Sequence, residues 1–147
     1  MAIHIVNGPN LNLLGKREPH IYGSQTFEDF FKILAKEFKE VGLKYFQSNS
    51  EGSLLDHIHK IGFESEGIIL NAGAYTHSSI ALGDAVAAIS SPLIEVHISN
   101  VYKREAFRHH SYISAHANGI IVGMGLNGYR LAVQHLIALQ QTQKRYT

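Results

Sequence analysis

The sequence predicts an α/β domain with a doubly wound, five-stranded parallel sheet and helices on both of its faces. Three observations point that way. Short apolar runs recur from one end of the chain to the other. Segments with the 3.6-residue period of an amphipathic helix alternate with them. The 147 residues suit one domain, spanning 1–147, large enough to bury roughly 68–70% of its unfolded surface.

The strand candidates are 3–7, 43–48, 67–71, 93–97 and 119–123. Two are almost wholly apolar, Gly67-Ile-Ile-Leu-Asn71 and Gly119-Ile-Ile-Val-Gly123. Strands buried on both faces of a parallel sheet read this way. The first helix opens at Thr26 or just after it. Its apolar positions Phe27, Phe30, Phe31, Leu34, Phe38 and Val41 follow the helical period, and Gly42 is its expected stop. A second helix covers about 51–61, with Ser50 as N-cap and Gly62 as stop. A third spans about 78–89 and a last one about 128–142. Strands that alternate with helices form parallel βαβ units, and five of them suggest the flavodoxin-like order 2-1-3-4-5.

That order also predicts where a ligand sits. Open parallel sheets bind ligands beyond the carboxyl ends of their strands, at the switch in strand order. Here the crevice lies by strands 1 and 3. The residues that leave the strands there are Asn7 and Asn10, then Asn71, with His97-Ile-Ser-Asn100 following strand 4. These polar ends converge on one pocket.

The connection after strand 1 is unusually long. It reads Asn7-Gly-Pro-Asn-Leu-Asn-Leu-Leu-Gly-Lys-Arg-Glu-Pro-His-Ile-Tyr-Gly23. Structureless connections beyond about 12–15 residues are usually functional. Its prolines and glycines fix or free the backbone, so it is a shaped loop. It carries Arg17 and Tyr22. A phenol has a pKa near 10, and acting as a base near neutrality requires a shift of about three units, or about 4 kcal/mol. One guanidinium at about 4 Å contributes roughly 4 kcal/mol at an effective dielectric of 20, but only about 1 kcal/mol in water. Arg17 can activate Tyr22 only beneath a loop that closes and excludes solvent.

Other chemistries fit less well. With no cysteine, the chain has no disulfide, thiolate site or cysteine nucleophile. Net charge is +1, and the basic pairs Lys103-Arg104 and Lys144-Arg145 are too short for a nucleic-acid footprint. No apolar run approaches membrane-spanning length, and the start of the chain lacks signal-peptide features, so a cytoplasmic location is the expectation. The ten histidines include no metal-binding spacing; His57 and His59 point apart on a helix. Gly123-Met-Gly-Leu-Asn-Gly128 matches G-x-G-x-x-G, but the chain ends before a following strand could bring the acidic residue of a dinucleotide site. Those glycines read as a tight strand-to-helix turn. Schiff-base chemistry needs a desolvated lysine, and no lysine ends a strand at the crevice. The third helix, Ile80 to Ile89, has Asp84 as its only charge, which predicts burial against another copy of the chain. Two rival readings stay open. A flavin-binding redox domain would need a Ser/Thr-rich phosphate loop after strand 1. A silent receiver-like module would want aspartates where Asn7 and Asn71 stand.

Four blocks resemble the type II 3-dehydroquinate dehydratases, over essentially the whole chain. They are Gly8-Pro-Asn-Leu-Asn12 with Gly15-Lys-Arg-Glu-Pro-His-Ile-Tyr-Gly23; Leu70-Asn-Ala-Gly-Ala-Tyr-Thr-His-Ser-Ser79; Glu95-Val-His-Ile-Ser-Asn100; and Arg104-Glu-Ala-Phe-Arg-His-His-Ser-Tyr-Ile-Ser114. The resemblance implies dehydration of 3-dehydroquinate to 3-dehydroshikimate, an anti elimination through an enolate that uses no cofactor, metal or imine. It casts Tyr22 as the base at C2 and Arg17 as the group that holds it as phenolate. Asn10 would position a water at the enolate oxygen, and His97, directed by Glu95, would protonate the departing C1 hydroxyl. Glu95 and His97 fall on one side of a strand, so their pairing is sterically reasonable. Asn71 and the backbone N–H groups of Ile98 and Ser99 would hold the substrate carboxylate, while His77 and Arg108 bind ring hydroxyls. Asp84 would reach a neighbouring subunit's site in a dodecamer built of trimers. Gly83 stands where many members are expected to carry a larger residue. The family serves both the shikimate pathway of aromatic amino-acid biosynthesis and the catabolic use of quinate, and both uses are open to this chain.

Replacing Tyr22 by Phe should lower kcat by orders of magnitude while substrate binding persists, because only the base is removed. Steady-state kinetics with a parallel binding titration check this, and near-normal turnover would reject Tyr22 as the base.

Overall fold

A computed structural model describes residues 2–16 and 24–146; Arg17 and Tyr22 lie outside the described residues. The five strands are β1 (Ala2–Asn7), β2 (Gly42–Gln47), β3 (Gly67–Asn71), β4 (Leu93–His97) and β5 (Gly119–Val122). The four helices are α1 (Phe27–Glu37), α2 (Glu51–Ile61), α3 (Ile80–Ala88) and α4 (Asn127–Tyr146). All strand pairs are parallel and the order is β2-β1-β3-β4-β5, as the alternation of elements predicted.

Side-chain alternation along the strands divides the core in two. Ile3, Ile5, Ile69, Ile94 and Val96 face α1 and α4, where Phe27, Phe30, Leu34, Tyr129 and Leu136 cover them. Val6, Ile68, Leu70 and Leu93 face the other way, against Leu54 and Ile58 of α2 and Leu82 and Val86 of α3. The long helix α4 therefore closes the same face as α1. Among the described residues no helix is long and apolar enough to cross a membrane.

Capping residues mark the helix starts. Thr26 Oγ1 accepts from Asp29 N–H at 3.1 Å, Ser50 Oγ from Ser53 N–H at 3.2 Å, and Ser79 Oγ from Leu82 N–H at 3.0 Å. The Ser79 cap starts α3 two residues later than periodicity suggested, because Gly73–His77 ahead of it forms a separate 3₁₀ turn. The helix ends differ more. α1 leaves helical geometry at Phe38, so Gly42 opens β2 instead of stopping the helix. Gly62 does follow α2, but at φ −74 it is not a left-handed cap. A Cβ there would lie 2.2 Å from Ile89 Cγ2, so close packing excludes a side chain.

Helix α3 buries Leu82, Gly83, Ala85 and Val86 and leaves Ile80, Ala81, Asp84, Ala87 and Ala88 exposed. Gly83 meets the chain just before residue 113: a Cβ would sit 2.5 Å from the Tyr112 carbonyl oxygen. That segment carries Ser111 and Ser114, which bond to Glu95. Gly83→Ala should therefore cost about 1–3 kcal/mol of stability through overpacking and should lower kcat/KM together with Tm. Thermal melts read beside kinetics check it, and an unchanged Tm would show that the backbone yields without strain.

Candidate active site

The strand ends stand level. Asn7 is in register with Gln47 on one side and Asn71 on the other, and His97 with Val122. The cleft they open onto encloses about 360 Å³ at the carboxyl ends of β1, β3 and β4, where the strand order predicts a ligand. Asn10, Asn71, His77, His97, Ile98, Ser99 and Arg108 all line it. So does Arg104, to which the sequence reading gave no role.

The turn after β1 is held from β2. Asn10 has φ 71, a left-handed conformation that Asn tolerates better than most residues. Its N–H donates to Asn49 Oδ1 at 3.0 Å, and Gln47 Nε2 donates to both Asn49 Oδ1 and the Gly8 carbonyl at 3.1 Å. No sequence rule singled out Gln47 or Asn49, because they act from the end of a neighbouring strand and the turn after it.

Glu95 and His97 project from one side of β4 and are 2% and 6% exposed. His97 Nε2 donates to Glu95 Oε2 at 2.5 Å. Ser114 Oγ donates to Oε1 at 2.7 Å, and Ser111 Oγ lies 3.1–3.2 Å from both oxygens. Ser111 Oγ is itself fixed by the N–H groups of Ile113 and Ser114, at 3.0 and 3.1 Å. Burial alone would push the Glu95 carboxyl up. Hydrogen bonds from His97, Ser114 and Ser111, with the His97 charge, outweigh it and hold Glu95 below the usual carboxylate range. The carboxylate stays ionised inside the protein and takes one nitrogen of His97. Among the described residues Nδ1 has no hydrogen-bond partner, so it is the nitrogen left to act on a ligand.

His77 lies near-parallel to His97, with ring centroids 6.0 Å apart. Its Nδ1 is 2.8 Å from the His110 carbonyl, which can only accept, so Nδ1 carries the proton and Nε2 keeps its lone pair. Burial lowers the His77 pKa; the hydrogen bond to the His110 carbonyl opposes this, but the nearby His97 and Arg108 charges add to it, and the balance favours that neutral form. Arg108 donates through Nε to Glu105 at 2.7 Å, which leaves its terminal nitrogens for an anionic or hydroxylated ligand. Asn71 Oδ1 accepts from Gly73 N–H at 3.1 Å, and its Nδ2 donates to the Tyr129 hydroxyl at 2.9 Å. Asp84 is not part of the cleft; it stands on the exposed face of α3. Among the described residues no cluster of three or more His, Asp or Glu could hold a metal.

The glycine-rich turn before α4 is also accounted for. Gly123 and Gly125 have φ +84 and +61, and their N–H groups donate to the carbonyls of His97 and Ile98. Those amides brace the end of β4 and cannot also cradle a phosphate, which removes the dinucleotide motif from consideration.

The sequence matches the family described as Dehydroquinase class II over residues 1–137. The chain belongs to that family. Among curated relatives, "3-dehydroquinate dehydratase" of Prochlorococcus marinus (strain NATL1A) is 51% identical over 140 residues, 94% of this chain and 97% of the relative. "Catabolic 3-dehydroquinase" of Emericella nidulans is 52% identical over 137 residues, 92% and 90% of the two chains. The crystal structure of type II dehydroquinase from Butyrivibrio crossotus DSM 2876 superposes with a TM-score of 0.85 at 46% identity, covering 92% and 97%. In this class II dehydroquinase the cleft thus unites seven of the residues expected from sequence, with Glu95 directly behind His97. Missed were Ser111, Ser114 and Tyr129. The two serines lie inside the last of the four resembling blocks, three residues apart, yet only the fold reveals that they face Glu95.

A carboxyl held low in the folded state stabilises the protein fully above its ordinary value of 4.5, and that stabilisation is lost as pH falls through the lower, folded value. Ser114→Ala removes a donor and raises the folded pKa. Its acid-unfolding midpoint should move to higher pH than the wild type's, as read by urea titrations across the acid range. An unchanged midpoint would show that Ser114 does not support the ionised carboxylate.

Proposed function

We propose that this chain is a hydro-lyase that dehydrates 3-dehydroquinate to 3-dehydroshikimate by anti elimination through an enolate. The observation that carries the mechanism is the buried Glu95–His97 pair, of which His97 lines the cleft. A general acid must hold a proton at neutral pH and stand where a leaving group departs. Glu95, kept ionised, fixes the ring through Nε2, so Nδ1 is the atom from which His97 delivers a proton to the C1 hydroxyl as water leaves. Tyr22, as phenolate beside Arg17, removes the C2 proton. The electron pair of that C–H bond passes through the enolate to form the new double bond as the C–O bond breaks. Protons balance: one goes to Tyr22, one comes from His97, and water and the enone are the products.

The remaining assignments are those the family resemblance implies, and the lining of the cleft supports them. Asn10 positions a water at the enolate oxygen. Asn71 and the N–H groups of Ile98 and Ser99 receive the substrate carboxylate. Neutral His77 accepts from a ring hydroxyl through Nε2, and Arg108 donates to another. The exposed face of α3, nearly all small or apolar around Asp84, supports contact with further copies of the chain, in a dodecamer built of trimers with Asp84 beside a neighbour's cleft. The enzyme works as one domain in the cytoplasm without a cofactor.

The decisive experiment is ultraviolet detection of a conjugated enone when purified protein meets 3-dehydroquinate. The wild type should produce it, and His97→Ala should lower kcat by about 10²–10⁴-fold, the usual contribution of a general acid. No enone from the wild type would overturn the activity, and an unimpaired His97→Ala would overturn the acid. Borohydride added with substrate should leave activity intact, since no imine forms.

A further inference from the structure

Behind the cleft, between the sheet and α4, runs a chain of polar groups that the mechanism above does not use. Gly73 N–H donates to Asn71 Oδ1 at 3.1 Å, Asn71 Nδ2 donates to the Tyr129 hydroxyl at 2.9 Å, and Tyr129 donates to Asn7 Oδ1 at 2.8 Å. Tyr129 and Asn7 are 0% exposed and Asn71 is 4% exposed. Tyr129 comes from the first turn of α4, far in sequence from both asparagines. Full burial pushes its phenol up, so it remains a protonated donor throughout the working range.

The polarity of this chain is set at one end. A backbone N–H can only donate, so Gly73 requires an oxygen, and Asn71 must turn Oδ1 toward it. Nδ2 then faces Tyr129, which must accept, and among the described residues the phenolic proton goes to Asn7 Oδ1. Turning the Asn71 amide over would oppose two donors at Gly73. Turning the Asn7 amide over would leave the Tyr129 proton without an acceptor. The Asn7 end is less tightly fixed: among the described residues, Asn7 Nδ2 and the neighbouring Tyr45 hydroxyl are buried without a partner of hydrogen-bonding geometry. Direction therefore runs from Gly73 outward, and Tyr129 is the link that keeps Nδ2 of Asn71 a donor held in place. Only one N–H of Nδ2 is used on Tyr129. The other remains for the cleft that Asn71 lines.

We propose that Tyr129 is a positioning residue for substrate binding: it fixes the Asn71 amide so that its second N–H meets an oxygen of an anionic substrate. This rests on the reading of Asn71 as a carboxylate-binding group. The effect belongs to KM more than to kcat, because Asn71 grips a group that does not change charge during the elimination.

The test uses Tyr129→Phe, which keeps the ring that packs against Phe27 and Phe30 and removes only the hydroxyl. KM for 3-dehydroquinate should rise about five- to tenfold with kcat within about threefold, the size expected from one lost neutral hydrogen bond. Added to Asn71→Ala, the same change should raise KM less than about twofold further, since the two residues act as one unit. A purely structural Tyr129 would instead lower the active fraction, and so kcat, with KM unmoved. That pattern, or full multiplication of the two effects, would overturn the proposal. Should Tyr129→Phe fold poorly, Asn7→Ala removes the acceptor for the phenolic proton, leaves the ring in place, and should raise KM in the same way; an unchanged KM overturns the proposal. A readout free of turnover separates this from the activity itself. By NMR, the Asn71 side-chain NH₂ should be protected from exchange in the wild type and lose protection in Tyr129→Phe, whereas equal protection in both overturns it. If the wild type made no enone, the assigned reaction would fall while this measurement still decided the role of Tyr129.

Discussion

Glu95 sits in the middle of a parallel sheet with almost none of its surface in water. An isolated carboxylate there would cost several kcal/mol and would take up a proton instead. Three donors prevent that: His97 on the same strand, and Ser111 and Ser114 on the segment that crosses beneath it. Because the carboxylate stays charged, it holds the imidazole beside it by one nitrogen and leaves the other over. Removing either partner of such a pair is costly, on the order of 3–5 kcal/mol, because a buried charge is left alone. The reactive imidazole and the stability of β4 thus depend on the same contacts.

The rest of the architecture serves to hold those contacts at the cleft. Parallel strands all end at one edge, so residues far apart in sequence leave the sheet side by side: Asn10 after β1, Asn71 and His77 after β3, His97 at the end of β4. The glycine turn before α4 ties its amides to the carbonyls of His97 and Ile98 and so braces the end of β4 from the far side. Gly83 lets α3 approach the Tyr112 carbonyl closely enough to seat the segment bearing the serines. Each of these is a backbone arrangement, and each is felt at a single imidazole.

The elements most legible in the sequence are those whose cause is local. Strands such as Gly67–Asn71 are apolar because both faces are buried, and helices such as α2 announce themselves by a stripe and a serine cap. Pairing of Glu95 with His97 could be foreseen because the strand repeat places alternate residues on one side. Less legible were the helix ends. Gly42 looks like a stop in a linear reading but begins a strand, whereas Gly62 does end α2, there making room for Ile89 instead of supplying a left-handed cap. The decoy glycines Gly123 and Gly125 were correctly read as a turn, while the carbonyls they would meet could not be guessed.

The sequence by itself determined the alternation of strands and helices, the order of the sheet, and the identity of the polar residues at the strand ends, because period, capping and chain-end chemistry act over a few neighbouring residues. Only the tertiary structure decided which groups complete the site: Ser111 and Ser114 beneath Glu95, Gln47 and Asn49 under the first turn, and Tyr129 behind Asn71. The reason is physical. A buried polar atom must find a partner wherever the packed layers bring one, and the layers of a doubly wound sheet bring together residues separated by most of the chain.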